Sequence, residues 1–292
     1  MAIEFSPTIS SRQNASGGTF AVRAIDLTAF GEWSSPVLVL DHFRVTGRPF
    51  PPHPHAGFSA VTYVFEDSQG ALRSRDSLGN DSITGPGGVV WTEAGRGLMH
   101  EEVPAENGRE LHAVQIFVNL SAKNKLIVPR LLRLESAKIP EWHSTAGDRV
   151  RVVVGSFRET SSPLIPSEPF GLFDAWVRDR ISFNLPEGHN SLIYMLSGQA
   201  QLRTDDDKQL EIKGEQALAI HGHGRVILQQ TVRPAHLLIL MGAEIREPLF
   251  EYGGFIMNDR SQMMTTIERY RTGRMGHLDP ISRTEGESAY MS

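Results

Sequence analysis

The chain has 292 residues, of which 29 are basic and 34 acidic, so its formal net charge is −5. An apolar content of 40% with 22% charged residues excludes a disordered protein, and the slightly acidic balance argues against a surface that binds nucleic acid. The absence of cysteine excludes disulfides, thiolate catalysis and metal sites built on cysteine, so any metal ion must be bound by His, Asp or Glu.

The first thirty residues contain no apolar segment of the kind found in secretory signals. No run elsewhere approaches the roughly 20 apolar residues that span a bilayer. We therefore expect a cytoplasmic protein that does not insert into a membrane. At roughly 150 residues per domain, the length favours two domains or one large one.

Short runs rich in β-branched residues follow one another along the chain, separated by Gly, Pro, Asn and Asp. In the run 112–118, the side chains of Val114, Ile116 and Val118 fall on one face, as expected for a strand with a buried side. We predict an all-β protein with strands at residues 37–40, 61–65, 89–92, 112–118, 150–154, 192–196, 217–220, 225–229 and 237–241. Short helices are predicted at residues 129–134 and, near the C-terminus, at 262–270.

The chain contains a weak internal repeat. Residues 57–65 (GFSAVTYVF) align with residues 188–196 (GHNSLIYML), and both segments are followed by a glycine turn and a second apolar strand. This repeat predicts two β domains in tandem, residues 1–155 and residues 156–292. The Ser- and Pro-rich residues 156–170 are predicted to link them.

Two pairs of potential metal ligands stand out among the 11 histidines. His53 and His55 are two residues apart, as are His100 and Glu102, so on extended strands the members of each pair point to the same side. If both strands line one barrel, the four side chains converge. Three imidazoles and one carboxylate leave open positions on an octahedral ion, a set that suits Fe(II) and tolerates Mn, Co, Ni, Cu or Zn. We predict one divalent metal ion, with Fe(II) as the first choice.

Several long motifs give the chain a resemblance to the pirin family. They are residues 53–64 (HPHAGFSAVTYV), 75–80 (RDSLGN), 86–102 (PGGVVWTEAGRGLMHEE) and 111–120 (LHAVQIFVNL), with shorter likenesses at 41–44, 246–249 and 254–258. The resemblance implies a bicupin, in which two cupin barrels face each other and only the N-terminal one binds metal. The metal ligands of the family match His53, His55, His100 and Glu102 position by position.

The sequence departs from the pirin pattern at two places. Ser59 stands where the family usually has a Glu, and residues 66–70 (EDSQG) make a longer hairpin than usual. Because that Glu is not among the four ligands, we expect the metal site to persist with altered surroundings.

The second copy of the repeat lacks the ligand pattern. Aligning the two tyrosines of the repeat puts Asn184 and Pro186 in the places of the first histidine pair and leaves His189 alone nearby. The run His221-Gly222-His223 lies in a glycine-rich turn without a third ligand in view. The acidic residues 205–207 fit a solvated hairpin tip better than a calcium loop. We therefore expect no metal in the C-terminal barrel.

The resemblance also implies an activity, because members of the family are described as quercetin 2,3-dioxygenases. The prediction is cleavage of a flavonol such as quercetin, a small phenolic substrate, by O2. The 3-hydroxyl of the flavonol would bind the metal as its anion and Glu102 would take the proton, since a carboxylate is the one ligand here that can loosen from the metal and hold a proton. Candidates for an apolar wall and its border, which core packing explains equally well, are Phe58, Phe65, Met99, Trp91 and Arg96.

Two alternatives stay open. Pirins of animals resemble transcriptional cofactors, so the protein could instead be a non-enzymatic regulator that binds a protein partner according to the oxidation state of its metal. The metal could also be purely structural. We favour the enzyme over the regulator, and the natural substrate and the oligomeric state stay open.

Overall fold

The computed structural model describes residues 1–16, 19–48, 50–232 and 234–281, and within them the chain folds mostly into β-strands. The strands up to residue 134 are β1 (Glu4–Phe5), β2 (Ile9–Ser10), β3 (Arg12–Ser16), β4 (Phe20–Ala24), β5 (Val37–Val45), β6 (His53–His55), β7 (Phe58–Val64), β8 (Leu72–Asp76), β9 (Asp81–Thr84), β10 (Val89–Glu93), β11 (Leu98–Pro104), β12 (Leu111–Asn119) and β13 (Arg130–Leu134). They are followed by β14 (Glu141–His143), β15 (Arg149–Val154), β16 (Ser156–Phe157), β17 (Thr160–Ser161), β18 (Phe170–Val177), β19 (Arg180–Leu185), β20 (His189–Ser197), β21 (Gln199–Thr204), β22 (Gln209–Lys213), β23 (Gln216–His221), β24 (Gly224–Gln230), β25 (Ala235–Ala243), β26 (Phe250–Tyr252) and β27 (Phe255–Met257). The described helical elements are α1 (Arg260–Arg271) and two 3-10 helices, Leu27–Ser34 and Ser136–Lys138.

The predicted strands are confirmed, since each coincides with a strand of the structure apart from residue 65, which follows the end of β7. The predicted C-terminal helix is confirmed as α1, whose first turn is capped by the Asp259 carboxylate accepting from the Gln262 backbone N–H. The helix predicted at residues 129–134 is wrong. That segment is β13, because its backbone pairs along its whole length with β10, and this tertiary pairing overrides local propensity. No described helix has the length and apolar character needed to cross a membrane.

The first barrel consists of a large sheet in the order β13-β10-β7-β12-β5-β4-β3 and a small sheet in the order β6-β11-β8-β9. Successive side chains of the central strand β7 point to opposite faces. Thr62 and Val64 point between the two sheets, into the barrel, whereas Val61 and Tyr63 point away from it into a second core. Both faces of this strand are covered, which explains its nearly continuous apolar character.

The second barrel repeats this arrangement. Its large sheet has the order β1-β23-β20-β25-β18-β15-β14, and its small sheet the order β19-β24-β21-β22. Strands β7 and β20, which carry the predicted repeat, have the same place in the two large sheets. Tyr63 lies opposite Val114 of β12, and Tyr194 lies opposite Leu238 of β25, so the registers of the two barrels can be compared residue by residue.

The two barrels are not formed by two consecutive halves of the chain. Strands β1 and β2 at the N-terminus pair with β23, and β14 and β15 belong to the large sheet of the second barrel, so that sheet takes strands from both sides of the predicted division between residues 155 and 156. The predicted linker, residues 156–170, contains the short hairpin β16–β17 and leads into β18. After the second barrel, the chain returns to the first, where Phe255 and Met263 pack against Ala56. The last residues of the predicted second domain, 282–292, lie outside the described residues.

The large sheets of the two barrels pack face to face around a shared apolar core. Hydrogen bonds of the two repeat tyrosines cross it. The Tyr63 hydroxyl donates to Asp174 Oδ2 at 2.7 Å and accepts from Arg151 Nη1 at 2.7 Å, both in the second barrel. In the other direction, the Tyr194 hydroxyl lies 2.9 Å from His42 Nδ1 in the first barrel. The predicted architecture of two β domains in tandem is confirmed, and these contacts join them closely.

Candidate metal centre

Strands of the small sheet position the candidate ligands in the first barrel. β6 and β11 pair antiparallel with His53 opposite His100. Because alternate residues of a strand share a face, His55 lies on the same side as His53, and Glu102 on the same side as His100. On its other edge β11 pairs with β8, where Glu102 lies opposite Ser74. The i, i+2 spacing of the sequence thus directs all four side chains toward the barrel interior.

The three imidazoles form a compact cluster. The ring centroids are 4.7 Å apart for His53 and His55, 4.6 Å for His53 and His100, and 4.5 Å for His55 and His100. One ring nitrogen of each lies within 4.8 Å of the others, and the Nε2 atoms of His53 and His100 are 3.1 Å apart. Convergent imidazole nitrogens are the arrangement that a divalent transition-metal ion requires.

Several nitrogens of this cluster lack a partner in the described part of the chain. His55 is 4% exposed, and its Nε2 makes no hydrogen bond. The buried Nδ1 of His100 has none either. Buried polar atoms are almost always hydrogen-bonded in folded proteins, so buried ring nitrogens without a partner need an explanation. A metal ion bound to the imidazoles supplies it for the nitrogens that face the ion, and the residues present therefore fit a metal.

The protonation of the histidines also suits a metal. The Nδ1 of His53 lies 2.9 Å from the carbonyl oxygen of Pro51, so a proton there leaves the Nε2 lone pair free to face the cluster. Burial, together with the neighbouring His53, lowers the pKa of His55 to about 3. Burial likewise lowers the pKa of His100. Both rings are therefore neutral at physiological pH, which is the form that binds metals.

Glu102 lies beside the cluster but outside the group of three imidazoles. Its Oε2 accepts a hydrogen bond from the Thr62 hydroxyl at 2.5 Å, whereas its buried Oε1 has no partner in the described part of the chain. Burial raises the pKa of Glu102 to about 7, against the opposite effect of hydrogen bonds from Thr62 and Ser74. The structure brings together three of the four predicted ligands, and the place of Glu102 as a fourth ligand stays a prediction.

The segment that returns from the second barrel holds the backbone next to His55. The Ala56 N–H donates to the Gly254 carbonyl at 3.1 Å, and the Ile256 N–H donates to the Ala56 carbonyl at 3.0 Å. A side chain at Gly254 would bring its Cβ to 2.1 Å from the Pro54 carbonyl oxygen, so this close approach requires glycine. The ligand strand therefore depends on residues about 200 positions later in the sequence.

A cavity of about 160 Å³ adjoins the cluster inside the first barrel. Its polar groups gather on the metal side and across the large sheet, and the remaining walls are apolar. The lining consists of Phe20, Val22, Asp41, Phe43, Val45, Phe50, His53, Leu72, His100, Glu102, Pro104, Leu111 and Gln115. A flat, mostly apolar ligand with a few polar groups suits such a cavity.

Sequence reasoning missed most of these walls. Of the residues considered for the wall, Phe58 packs edge-on against His55 with ring centroids 4.9 Å apart, and Phe65 and Trp91 belong to the core between the barrels. Met99 lines a separate groove on the outside, and Arg96 offers its carbonyl to Arg269. The alternation of β5, in which Asp41, Phe43 and Val45 share one face, is the signal that could have identified part of the lining.

The two departures from the pirin pattern lie away from the cluster. Ser59 is on the opposite face of β7 from Thr62, so it points away from the barrel interior. In the longer hairpin at residues 66–70, Glu66 accepts two hydrogen bonds from Arg149 of the second barrel at 2.7 and 2.8 Å, and Asp67 Oδ1 lies 2.6 Å from His112 Nδ1. This hairpin therefore takes part in the contact between the barrels.

The interior of the second barrel is apolar where the first carries its histidines. On β19 and β24 the buried side chains are Ile181, Phe183, Leu185, Val226 and Leu228, and Asn184 is exposed. Among the described residues, the histidine cluster of the first barrel is the one group of His, Cys, Asp or Glu close enough to hold a metal.

The other polar residues singled out in the second half have local partners. His221 stacks on Trp33 and lies 2.8 Å from Asn190 Oδ1, and His223 Nδ1 lies 3.0 Å from the terminal amine of Met1. His189 Nδ1 lies 3.1 Å from the carbonyl oxygen of Glu187. The acidic residues 205–207 lie at the exposed turn between β21 and β22, as a solvated hairpin tip requires.

Comparisons with known proteins agree with this architecture. A family model described as Pirin matches residues 20–118, and one described as Pirin C-terminal cupin domain matches residues 176–276. A Pseudomonas aeruginosa protein, named as a candidate quercetin 2,3-dioxygenase, is 33% identical over 82% of this chain and 86% of its own. Human pirin is 30% identical over 82% of this chain and 83% of its own. The crystal structure of quercetin 2,3-dioxygenase from Acinetobacter baumannii aligns with a TM-score of 0.81 at 25% identity, over 94% of this chain and 99% of that one.

Proposed function

The chain belongs to the pirin family and has its two cupin domains, and from this premise we propose that it is a metal-dependent dioxygenase that cleaves a flavonol such as quercetin with O2. The single observation that carries the proposal is the cluster of three convergent imidazoles, two of them buried, at one side of a largely apolar cavity. Relatives named for quercetin dioxygenase support the choice of substrate class.

We propose His53, His55, His100 and Glu102 as the residues that hold one divalent ion. Neutral imidazoles with a carboxylate suit Fe(II), and Mn, Co, Ni, Cu and Zn are the alternatives for the same donor set. When bound, the ion supplies Lewis acidity toward a phenolic oxygen and redox chemistry toward O2. The side chains of the protein supply the proton acceptor and the walls that bind and orient the substrate.

Glu102 is the proposed proton acceptor. Its unpartnered Oε1 is available to take the proton of the flavonol 3-hydroxyl, while the Thr62 hydroxyl holds Oε2 in place. In the metal-free fold, burial raises the pKa of this carboxyl to about 7, so it holds a proton more readily than an exposed glutamate does. The apolar walls formed by Phe43, Leu72 and Leu111 exclude water from the ring system and orient it by packing.

Oxygen consumption tests the proposal. Protein loaded with Fe(II) should consume O2 when quercetin is added, and His55→Ala should abolish this uptake together with the bound metal, measured by elemental analysis of the same preparations. The matched control is His189→Ala, because this histidine is the first residue of β20 in the second barrel and its ring contacts a backbone carbonyl. Both its metal content and its rate should equal those of the wild type.

Two results would contradict the proposal. Unchanged turnover in His55→Ala would remove the assignment of the site. A metal-loaded protein that takes up no O2 with any flavonol, but that captures a protein partner in one metal oxidation state alone, would instead support a non-enzymatic regulator.

A further inference from the structure

A row of polar side chains crosses the large sheet of the first barrel inside the cavity. Gln115 of β12 lies opposite Asp41 of β5 on one edge and opposite Thr62 of β7 on the other. The three residues share the inner face, and Asp41 and Gln115 line the cavity. We call Asp41, Gln115 and Thr62 the polar row. It continues across the barrel to the metal site, because Thr62 donates to Glu102.

The rows on either side are apolar. Two residues along the strands in one direction the opposing residues are Phe43, Ala113 and Val64. Two residues in the other direction they are Val39, Phe117 and Ala60. The polar row is thus a single band of hydrogen-bonding groups within an apolar wall, at the level of Glu102.

Two members of the polar row have spare hydrogen-bonding capacity. Within the described part of the chain, no group donates a hydrogen bond to the Asp41 carboxylate, and the Gln115 amide makes no side-chain hydrogen bond. Both residues are partly buried, and burial raises the pKa of Asp41. Polar groups withdrawn from bulk water without a protein partner cost stability, which a ligand that pairs with them would recover.

The second barrel shows that the fold does not need polar residues here. The equivalent positions, found from the shared register, are Phe173, Ile239 and Ile193, which lie opposite one another in the same order. All three are buried in the apolar core of that barrel. The polar row is therefore a property of the cavity that holds the candidate metal site.

The dimensions suit a planar aromatic ligand. Neighbouring strands are about 4.8 Å apart, so Asp41 lies about 10 Å across the sheet from Thr62. Resting on the proposed function, we propose that Asp41 and Gln115 bind hydroxyl groups on the end of the substrate remote from the metal. The protein then selects flavonols that carry hydroxyls at both ends of the molecule.

Two flavonols that differ at one end alone serve as probes. Quercetin has two hydroxyls on its pendant ring, and galangin is the same flavonol without them. Affinities are measured by calorimetry with the metal-loaded protein under anaerobic conditions, so that binding is separated from turnover. The wild type should bind quercetin at least about tenfold more tightly than galangin, since hydrogen bonds to a charged group are the stronger kind.

Asp41→Leu is the decisive variant, because its side chain has a similar size and the second barrel accepts an apolar residue at this place. It should bind galangin as the wild type does but lose the preference for quercetin, to within about twofold. Gln115→Met should reduce the preference by a smaller factor. The matched control, Asp205→Asn at the exposed hairpin tip, should keep the full preference. Thermal melting of each variant identifies any loss of folding.

The outcomes separate this inference from the proposed function. Equal binding of both flavonols by the wild type, or an unchanged preference in a folded Asp41→Leu, overturns the inference even if quercetin is oxidised. A preference that depends on Asp41 without any O2 uptake supports the inference and overturns the proposed oxygenase. Failure to bind either flavonol overturns both.

Discussion

The two barrels have the same order of strands but differ in what fills them. The second barrel is packed with apolar side chains from both of its sheets, including Phe173, Ile193, Ile239, Val226 and Leu228. In the first barrel, the buried apolar cluster between the sheets is smaller, and the space beside it is the cavity with the histidine cluster and the polar row. The packed interior of the second barrel thus stabilises the fold, while the first barrel accepts buried polar groups at its candidate binding site.

The two faces of each large sheet have different roles. The outward faces pack on each other around a shared apolar core, and the inward faces diverge. In a strand, alternate side chains occupy opposite faces, so one face can change its chemistry without disturbing the other. Duplicated barrels can therefore keep their interface and still differ in function.

The largest predicted effect comes from exchanging the central residue of the equivalent rows. Ile239→Gln buries an amide without partners in the core of the second barrel, and we expect it to lower the free energy of unfolding by about 4 kcal/mol. Gln115→Ile in the first barrel should change it by no more than about 1 kcal/mol, because Gln115 is partly buried and has no hydrogen bond to lose. Urea denaturation of both variants measures the difference. Equal losses would contradict the distinction between a packed barrel and a binding barrel.

The two repeat tyrosines should contribute unequally to the stability of the interface between the barrels. Tyr63→Phe leaves the buried Arg151 and Asp174 without a shared partner and should cost about 3 kcal/mol. Tyr194→Phe removes one hydrogen bond, to the neutral His42, and should cost about 1 kcal/mol. Thermal and urea unfolding of the single and double variants measure these losses of stability. Equal losses would mean that the hydrogen bonds of the two tyrosines contribute equally to the interface.

The smallest effect depends on pH and concerns Glu102. In the metal-free fold the pKa of Glu102 is raised to about 7 from its usual 4.5, so the protonated carboxyl stabilises the fold at low pH and this contribution is lost as the pH rises through 7. Glu102→Gln cannot ionise. Relative to the wild type, the metal-free variant should therefore gain about 2 kcal/mol between pH 5 and pH 8.

Urea denaturation in the presence of a chelator, at pH 5 and at pH 8, measures this gain. The control is Glu211→Gln, an exposed glutamate on a strand of the second barrel, whose effect should be nearly the same at both pH values. A difference between Glu102→Gln and the wild type that does not change with pH would show that the pKa of Glu102 is not raised in the fold.

Many features of this molecule are encoded by neighbouring residues and can be predicted from the sequence. The strands follow from alternating apolar residues, and the duplicated fold follows from the similarity of residues 57–65 and 188–196. The convergence of His53, His55 and His100 follows from the i, i+2 spacing on two paired strands. The prediction of a helix at residues 129–134 was wrong because pairing with a distant strand, and not local sequence, decided the conformation of that segment.

The sequence by itself determined the strands, the duplication and the spacing of the clustered histidines, because each of these is encoded by neighbouring residues with a fixed period. The tertiary structure alone decided the cavity walls, the polar row, the return of the C-terminal segment to Ala56 and the interleaving of the chain between the barrels. These features depend on which strands pair and in what register. A shift of one residue would turn Asp41 and Gln115 away from the cavity, and that register is set by contacts between segments far apart in the chain.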